Sequence, residues 1–167
     1  LNLKLYNPDA MVPRHAAATL LQMARGFPVL AITGPRQSGK TTLARSTFPD
    51  RPYVNLEDPD TRELALVDPR RFLARLADGA VLDEVQRAPG LLDEVHFLME
   101  EKGYKRFALT GSSARKLRRG AANLLAGRAA VRNLFPLTSA EMGYSVPAAQ
   151  LLRFGAMPLS VNAPENE

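Results

Sequence analysis

The eight residues Gly34-Pro35-Arg36-Gln37-Ser38-Gly39-Lys40-Thr41 constrain this chain more than any other feature, because they fill every fixed position of G-x-x-x-x-G-K-[ST]. The spacing has a physical origin. Glycines at both ends let the backbone curl until successive N–H groups point inward at an anion, and a following helix adds positive potential at its N-terminus. Such a loop works only between a buried strand and a helix. The flanking sequence supplies both: Phe27-Pro28-Val29-Leu30-Ala31-Ile32-Thr33 is a short apolar run, and Lys40 to Phe48 reads as helix before Pro49 stops it. A nearly continuous apolar run suits a strand covered on both faces, the mark of a parallel sheet. The pattern therefore predicts phosphate binding, with Lys40 reaching the β and γ phosphates and the Thr41 hydroxyl available to Mg2+.

The rest of the chain repeats the same alternation. Tyr53–Leu56, Ala80–Leu82, Phe107–Thr110 and Ala129–Phe135 read as further strands. Helices are expected over Ala16–Arg25, with Pro13 in a first turn and Gly26 as the stop. Others are expected over Thr61–Leu76 with a break near Pro69, after Pro89, from Ala114, and briefly from Thr138 to Met142. Strands alternating with helices predict an α/β fold of three layers, α/β/α, around a five-stranded, mainly parallel sheet. At 167 residues and 46% apolar content the chain can bury a core without staples. It has no cysteine, which excludes disulfide scaffolds, thiol nucleophiles and cysteine metal sites. No apolar run approaches the length needed to span a bilayer, and a cytoplasmic setting is expected.

Val81-Leu82-Asp83-Glu84 puts two carboxylates at the end of the third strand. Ligands of open parallel sheets sit outside the carboxy-terminal strand ends, so this pair is expected to face the phosphate loop. Asp83 then suits the Mg2+ shell, and Glu84 suits a general base that polarises a water for attack on a γ-phosphate. A base beside the metal acid favours hydrolysis over transfer to a second substrate.

Four motifs occur in order: Thr33-Gly34-Pro35-Arg36-Gln37-Ser38-Gly39-Lys40-Thr41-Thr42-Leu43, Val81-Leu82-Asp83-Glu84-Val85-Gln86, Leu109-Thr110-Gly111-Ser112-Ser113 and Leu125-Ala126-Gly127-Arg128. Together they resemble a large group of prokaryotic AAA-type ATPases, over about Tyr6 to Gly143. The resemblance implies a P-loop ATPase core over residues 1–145, with an N-terminal helix near 13–26, that binds ATP with Mg2+. It implies nucleotide contacts from Gly34, Pro35, Arg36, Gln37, Ser38, Gly39, Lys40, Thr41 and Thr42. Thr110 or Ser112 becomes the polar sensor of the γ-phosphate, and Arg14 falls at a position near the nucleotide. Arg128 becomes the candidate arginine finger, with Arg115 and Arg132 as rivals; such a finger can be supplied in cis or from a neighbouring copy. Longer members continue into a carboxy-terminal domain of uncertain role, so residues 146–167 are expected to begin such a region, and the chain, starting at Leu1, to be a fragment or trimmed.

The remaining features point less far. The excess of 22 Lys+Arg over 17 Asp+Glu gives a net charge of +5, which attracts phosphate-bearing partners without choosing among them. Arg115-Lys116-Leu117-Arg118-Arg119 could meet nucleic-acid phosphates, but it lacks interleaved aromatics, and a solvated helix face or subunit contact is the better reading. Glu57-Asp58 is a turn-capping pair before it is a metal shell, and His15 and His96 lack ligand partners at known spacings. Two other functions fit the same residues: a nucleotide-gated binding module with negligible turnover, and a nucleic-acid-associated ATPase. A homo-oligomer, a protein partner or a further domain would each complete the first of these.

Overall fold

The computed structural model describes residues 12–76, 78–102, 106–112 and 128–162. The basic helix expected from Ala114, the Arg115–Arg119 cluster, Ser113 and Leu125-Ala126-Gly127 lie outside the described residues.

Five short strands form one sheet: β1 (Val29–Thr33), β2 (Tyr53–Asn55), β3 (Val81–Asp83), β4 (Phe107–Gly111) and β5 (Ala129–Asn133). Their spatial order is β2-β3-β4-β1-β5, and every neighbouring pair runs parallel. The register sets Val29 beside Phe107 on one side and Ala129 on the other, and Leu82 beside Leu109. The central strands β1 and β4 are buried at all five positions, as continuous apolar runs require when helices cover both faces.

Because successive strand residues point to opposite faces, each apolar run feeds two cores. Val29 and Ala31 join Leu82, Phe107 and Leu109 on one face, against Ala65 of α3 (Pro59–Val67), Leu73 of α4 (Pro69–Ala74) and Leu91 and Val95 of α5 (Gly90–Lys102). Leu30 and Ile32 turn to the other face, against Leu20 of α1 (Ala16–Gly26) and Leu43 and Ala44 of α2 (Lys40–Thr47). Helices on both sides of a parallel sheet make the three-layer α/β/α architecture.

Several boundaries differ from those the sequence suggests, each for a local reason. The helical stretch after β2 breaks at Pro69 as expected but starts at Pro59, ahead of Thr61, because Asp58 and Asp68 each cap a start with a proline in the first turn. Their carboxylates accept from Thr61 N and Arg71 N, both at 2.9 Å. Helix α1 begins at Ala16, leaving Pro13 and Arg14 ahead of it. β5 stops at Asn133, short of Phe135, with Leu134 still donating its N–H to Thr33 O at 2.7 Å. Residues 139–144 form turns where a helix from Thr138 is expected: Thr138 and Glu141 exchange the bonds of a capping box, at 2.9 and 3.2 Å, but Gly143 and Tyr144 take left-handed backbones that end the turn at once. Two short helices, α6 (Ala148–Phe154) and α7 (Pro158–Asn162), complete the described chain, and Leu137 N clasps Ala156 O at 2.7 Å. No helix among the described residues is long and apolar enough to cross a membrane.

Candidate functional site

Parallel topology sends the carboxy-terminal ends of β1, β3 and β4 to one edge, and the chemistry-bearing residues of all three gather there. The Gly34–Gly39 loop leaves β1 and enters α2 at Lys40. Gly34 sits at φ +151°, where an added Cβ would lie 2.1 Å from Leu134 O, so only glycine permits this approach of backbone to backbone. Gly39, at φ +87°, caps α2 in the left-handed region. Pro35, Arg36 and Gln37 are exposed on the outside of the loop, whereas Ser38 is buried and its Oγ has no hydrogen-bond partner. A buried hydroxyl without a partner is uncommon, and here it belongs to a loop whose N–H groups suit an anion.

Lys40 is almost fully buried, and its ammonium donates to the loop's own carbonyls, Pro35 O at 2.7 Å and Gly34 O at 3.2 Å. Burial lowers its pKa from the usual lysine value, while the carboxylates of Glu84 and Asp83 pull in the opposite direction. Thr41 donates to Asp83 Oδ2 at 2.8 Å, bringing the first residue pair of the two motifs together. Thr42 is exposed, on the rim of a cleft of about 520 Å3 lined also by Arg45, Phe48, Arg51 and Tyr53.

Asp83 is 5% exposed and its carboxylate accepts from three hydroxyls. Besides Thr41, it accepts from Tyr53 at 2.8 Å on the same oxygen, and from Thr110 on the other. Tyr53 is held protonated by this arrangement: burial raises its pKa far above the usual tyrosine value, and the hydrogen bond to Asp83 adds to the rise. Thr110 is fully buried and also lies 3.4 Å from Glu84 N, so it ties the ends of β3 and β4 together. Ser112, half-buried just past the end of β4, donates to Glu84 Oε2 at 3.2 Å. Glu84 itself takes φ +55°, a left-handed backbone rare for a side chain larger than asparagine.

The donor set suits Mg2+. Thr41 and Asp83 offer one hydroxyl and one carboxylate side by side, and Mg2+ is commonly bound by one or two carboxylates together with substrate phosphates. Among the described residues no group of three or more His, Cys, Asp or Glu forms an all-protein metal cage.

Arg14, ahead of α1, is half-buried, with its side chain 9% exposed, and braces the loop. Its guanidinium donates to Ser38 O at 2.7 Å, to Phe135 O at 2.7 Å and to Glu141 Oε1 at 3.1 Å. The Glu141 side chain is 4% exposed and also accepts from His15 N at 2.9 Å. Burial pushes Glu141 up, but the Thr138 and His15 amides and the Arg14 guanidinium outweigh it and hold the carboxyl below the usual glutamate value.

Other expected residues lie elsewhere. Arg128 immediately precedes β5, at the amino-terminal end of the sheet, and pairs with Glu100 at 3.0 Å; the loop leaves the opposite end of the parallel neighbour β1. Within one chain the sheet separates Arg128 from Lys40. Arg132 is exposed on the edge strand β5, and Arg115 lies outside the described residues. Glu57 is exposed and pairs with Arg87 at 3.4 Å and with Arg36 of the loop at 3.9 Å. Tyr53, Gln86 and Glu141 are the contributors that sequence reasoning missed. Glu141 had a signal in the Thr138-x-x-Glu141 spacing of a capping box. Gln86 stands inside the Val81–Gln86 motif, where it was given no role, and Tyr53 had only its hydroxyl beside apolar neighbours.

Comparisons with known proteins agree with this architecture. A model of the AAA domain family matches residues 26–143. Uncharacterized proteins of Mycobacterium bovis and Mycobacterium tuberculosis are each 35% identical over 156 residues, which is 92% of this chain and 35% of theirs. The chain thus spans about a third of the length of these curated relatives. Among solved structures, a Walker-type ATPase of Pyrococcus abyssi superposes with TM-score 0.63 at 16% identity, covering 89% of this chain and 65% of that one. A signal-transduction ATPase of Pyrococcus horikoshii, with numerous domains and a tetratricopeptide repeat sensor, gives 0.61 at 17% identity, covering 95% of this chain and 31% of its own. Both share the fold.

Proposed function

The chain belongs to the AAA domain family and has the core of an AAA-type P-loop ATPase, and from that premise we propose that it binds ATP with Mg2+ and hydrolyses it at the Gly34–Thr41 loop and the Asp83-Glu84 strand end. The observation that carries this reading is the convergence of Thr41, Asp83, Thr110, Ser112 and Glu84 at one edge of the sheet, joined by direct hydrogen bonds. Loop N–H groups and the N-terminus of α2 hold the phosphates. Lys40 exchanges the Gly34 and Pro35 carbonyls for phosphate oxygens. Thr41 and Asp83 would hold Mg2+, which when bound neutralises developing phosphate charge. Glu84 accepts the proton of the attacking water, and Ser112, less buried than Thr110, is the better placed sensor. Arg128 serves as a finger only in a neighbouring copy, given its place at the far end of β5. The ATPase unit is assigned to residues 1–145, and 146–167 follow it as a tail.

The neighbour of Asp83 bears on the alternative of a silent nucleotide-binding module. A carboxylate and a hydroxyl already paired at 2.8 Å serve Mg2+ in either case; the neighbouring Glu84 is what a module without turnover would not need. The first test concerns binding. Lys40→Ala is expected to weaken ATP affinity by at least about 100-fold, as befits loss of a desolvated ammonium making charge-assisted bonds. Titration calorimetry decides it, and unchanged affinity in the variant rules the phosphate-loop assignment out.

A further inference from the structure

Glu84 is flanked by a side chain that the proposed chemistry has not used. The left-handed turn at Glu84 leads into a single 3-10 turn, Val85–Arg87, which brings Gln86 back over the end of β4. There the Gln86 amide nitrogen donates to Glu84 Oε2 and stands 3.4 Å from Ser112 Oγ. Ser112 donates to the same carboxylate oxygen at 3.2 Å, so two donors from different elements converge on Oε2. No described hydrogen bond engages the other oxygen, Oε1.

The other half of the Gln86 amide is equally informative. Its Oε1 is buried and has no hydrogen-bond partner among the described residues. A glutamine can present only its NH2 to a carboxylate, because the carbonyl is an acceptor and would repel it. The amide orientation is therefore dictated by Glu84, at the cost of leaving a buried carbonyl unpaired. Native proteins rarely tolerate such a group without a functional reason. The strained backbone at Glu84 belongs to the same constraint, since it sets the turn that aims Gln86.

We infer that Gln86 is a positioning residue for Glu84, fixing Oε2 through its amide N–H so that Oε1 is the oxygen left to take the proton of the attacking water. The inference rests on the proposed role of Glu84 as general base. A base held by two donors keeps one orientation, and a displacement of about 1 Å at a reacting group can lower a rate by on the order of 100-fold.

The test is a double-mutant cycle in steady-state and single-turnover ATP hydrolysis with Mg2+. Gln86→Ala in the otherwise unchanged protein is expected to lower kcat by about 10- to 100-fold, with KM and nucleotide affinity within about twofold. In the Glu84→Gln background the same change should cause no further loss, because a group acting through Glu84 has nothing left to position. A merely structural role would lower the rate by the same factor in both backgrounds. Gln86→Met, which keeps the length and removes the donor, gives the same reading should the alanine variant fold poorly, with retained nucleotide binding as the check on folding. Equal losses in both backgrounds, or no loss in the first, overturn the inference while Glu84 keeps its role. Undiminished turnover in Glu84→Gln, or none in the unmodified protein, removes the base assignment and this inference with it.

Discussion

Glu84→Gln is expected to lower ATP turnover by about 10²- to 10⁴-fold while leaving nucleotide affinity nearly unchanged, the range that a positioned general base contributes. The structure makes this substitution unusually clean. Glu84 hangs on a backbone whose conformation is set by its φ of +55° and by the contact of its N–H with Thr110, neither of which involves the carboxylate. Glutamine is isosteric and retains a carbonyl oxygen that can accept from Ser112 or Gln86, the present partners of Oε2. What it loses is the capacity to accept a proton. A fall in kcat without a fall in affinity is the signature of a group that acts in the transition state alone, and parallel turnover and binding assays on both proteins read it. A loss of affinity as large as the loss of rate would instead make Glu84 part of the binding surface.

Arg14→Ala is expected to destabilise the fold by about 3–5 kcal/mol, the usual result of removing one member of a buried ion pair. Both side chains are nearly inaccessible, at 9% and 4% exposure. The substitution strands the Glu141 carboxylate and releases two carbonyls, Ser38 O in the loop and Phe135 O beyond β5. Chemical denaturation measures it, and a loss below about 1 kcal/mol would mean that water replaces the guanidinium freely. The same cluster gives a pH dependence whose direction is fixed. Glu141 is held below its ordinary value of 4.5, so its contribution to stability is fully present above that pH. The contribution is lost as the pH falls from there through the lowered folded-state value. Glu141→Gln should therefore be less stable than the parent at neutral pH and lose less on acidification.

How much of this was legible depends on the range over which each feature is encoded. The phosphate loop lies in eight consecutive residues, and its demands on backbone, at Gly34 against Leu134 O, are written in the same eight. The Asp83-Glu84 pair was legible for the same reason, and parallel topology followed from the apolar runs that bury β1 and β4 on both faces. The partners were not. Tyr53 reaches Asp83 from an edge strand 30 positions earlier, and Glu141 meets Arg14 across 127 positions, so only the folded sheet brings them together. The expected helix from Thr138 stops at a single turn: its capping box forms, but Gly143 and Tyr144 both take left-handed backbones that end it. The place of Arg128 could have been reasoned out. A residue just ahead of a parallel strand must lie at the end of the sheet away from a loop that follows one.

The central claim is Mg2+-dependent hydrolysis of ATP, and phosphate release from ATP by the unmodified protein tests it most directly. It should be followed with Mg2+ and with the metal chelated, over a wide range of protein concentration. Release should require Mg2+, with specific activity rising with concentration as copies of the chain supply Arg128 to one another. Tight ATP binding without release at any concentration would contradict it and leave a nucleotide-gated binding module in its place.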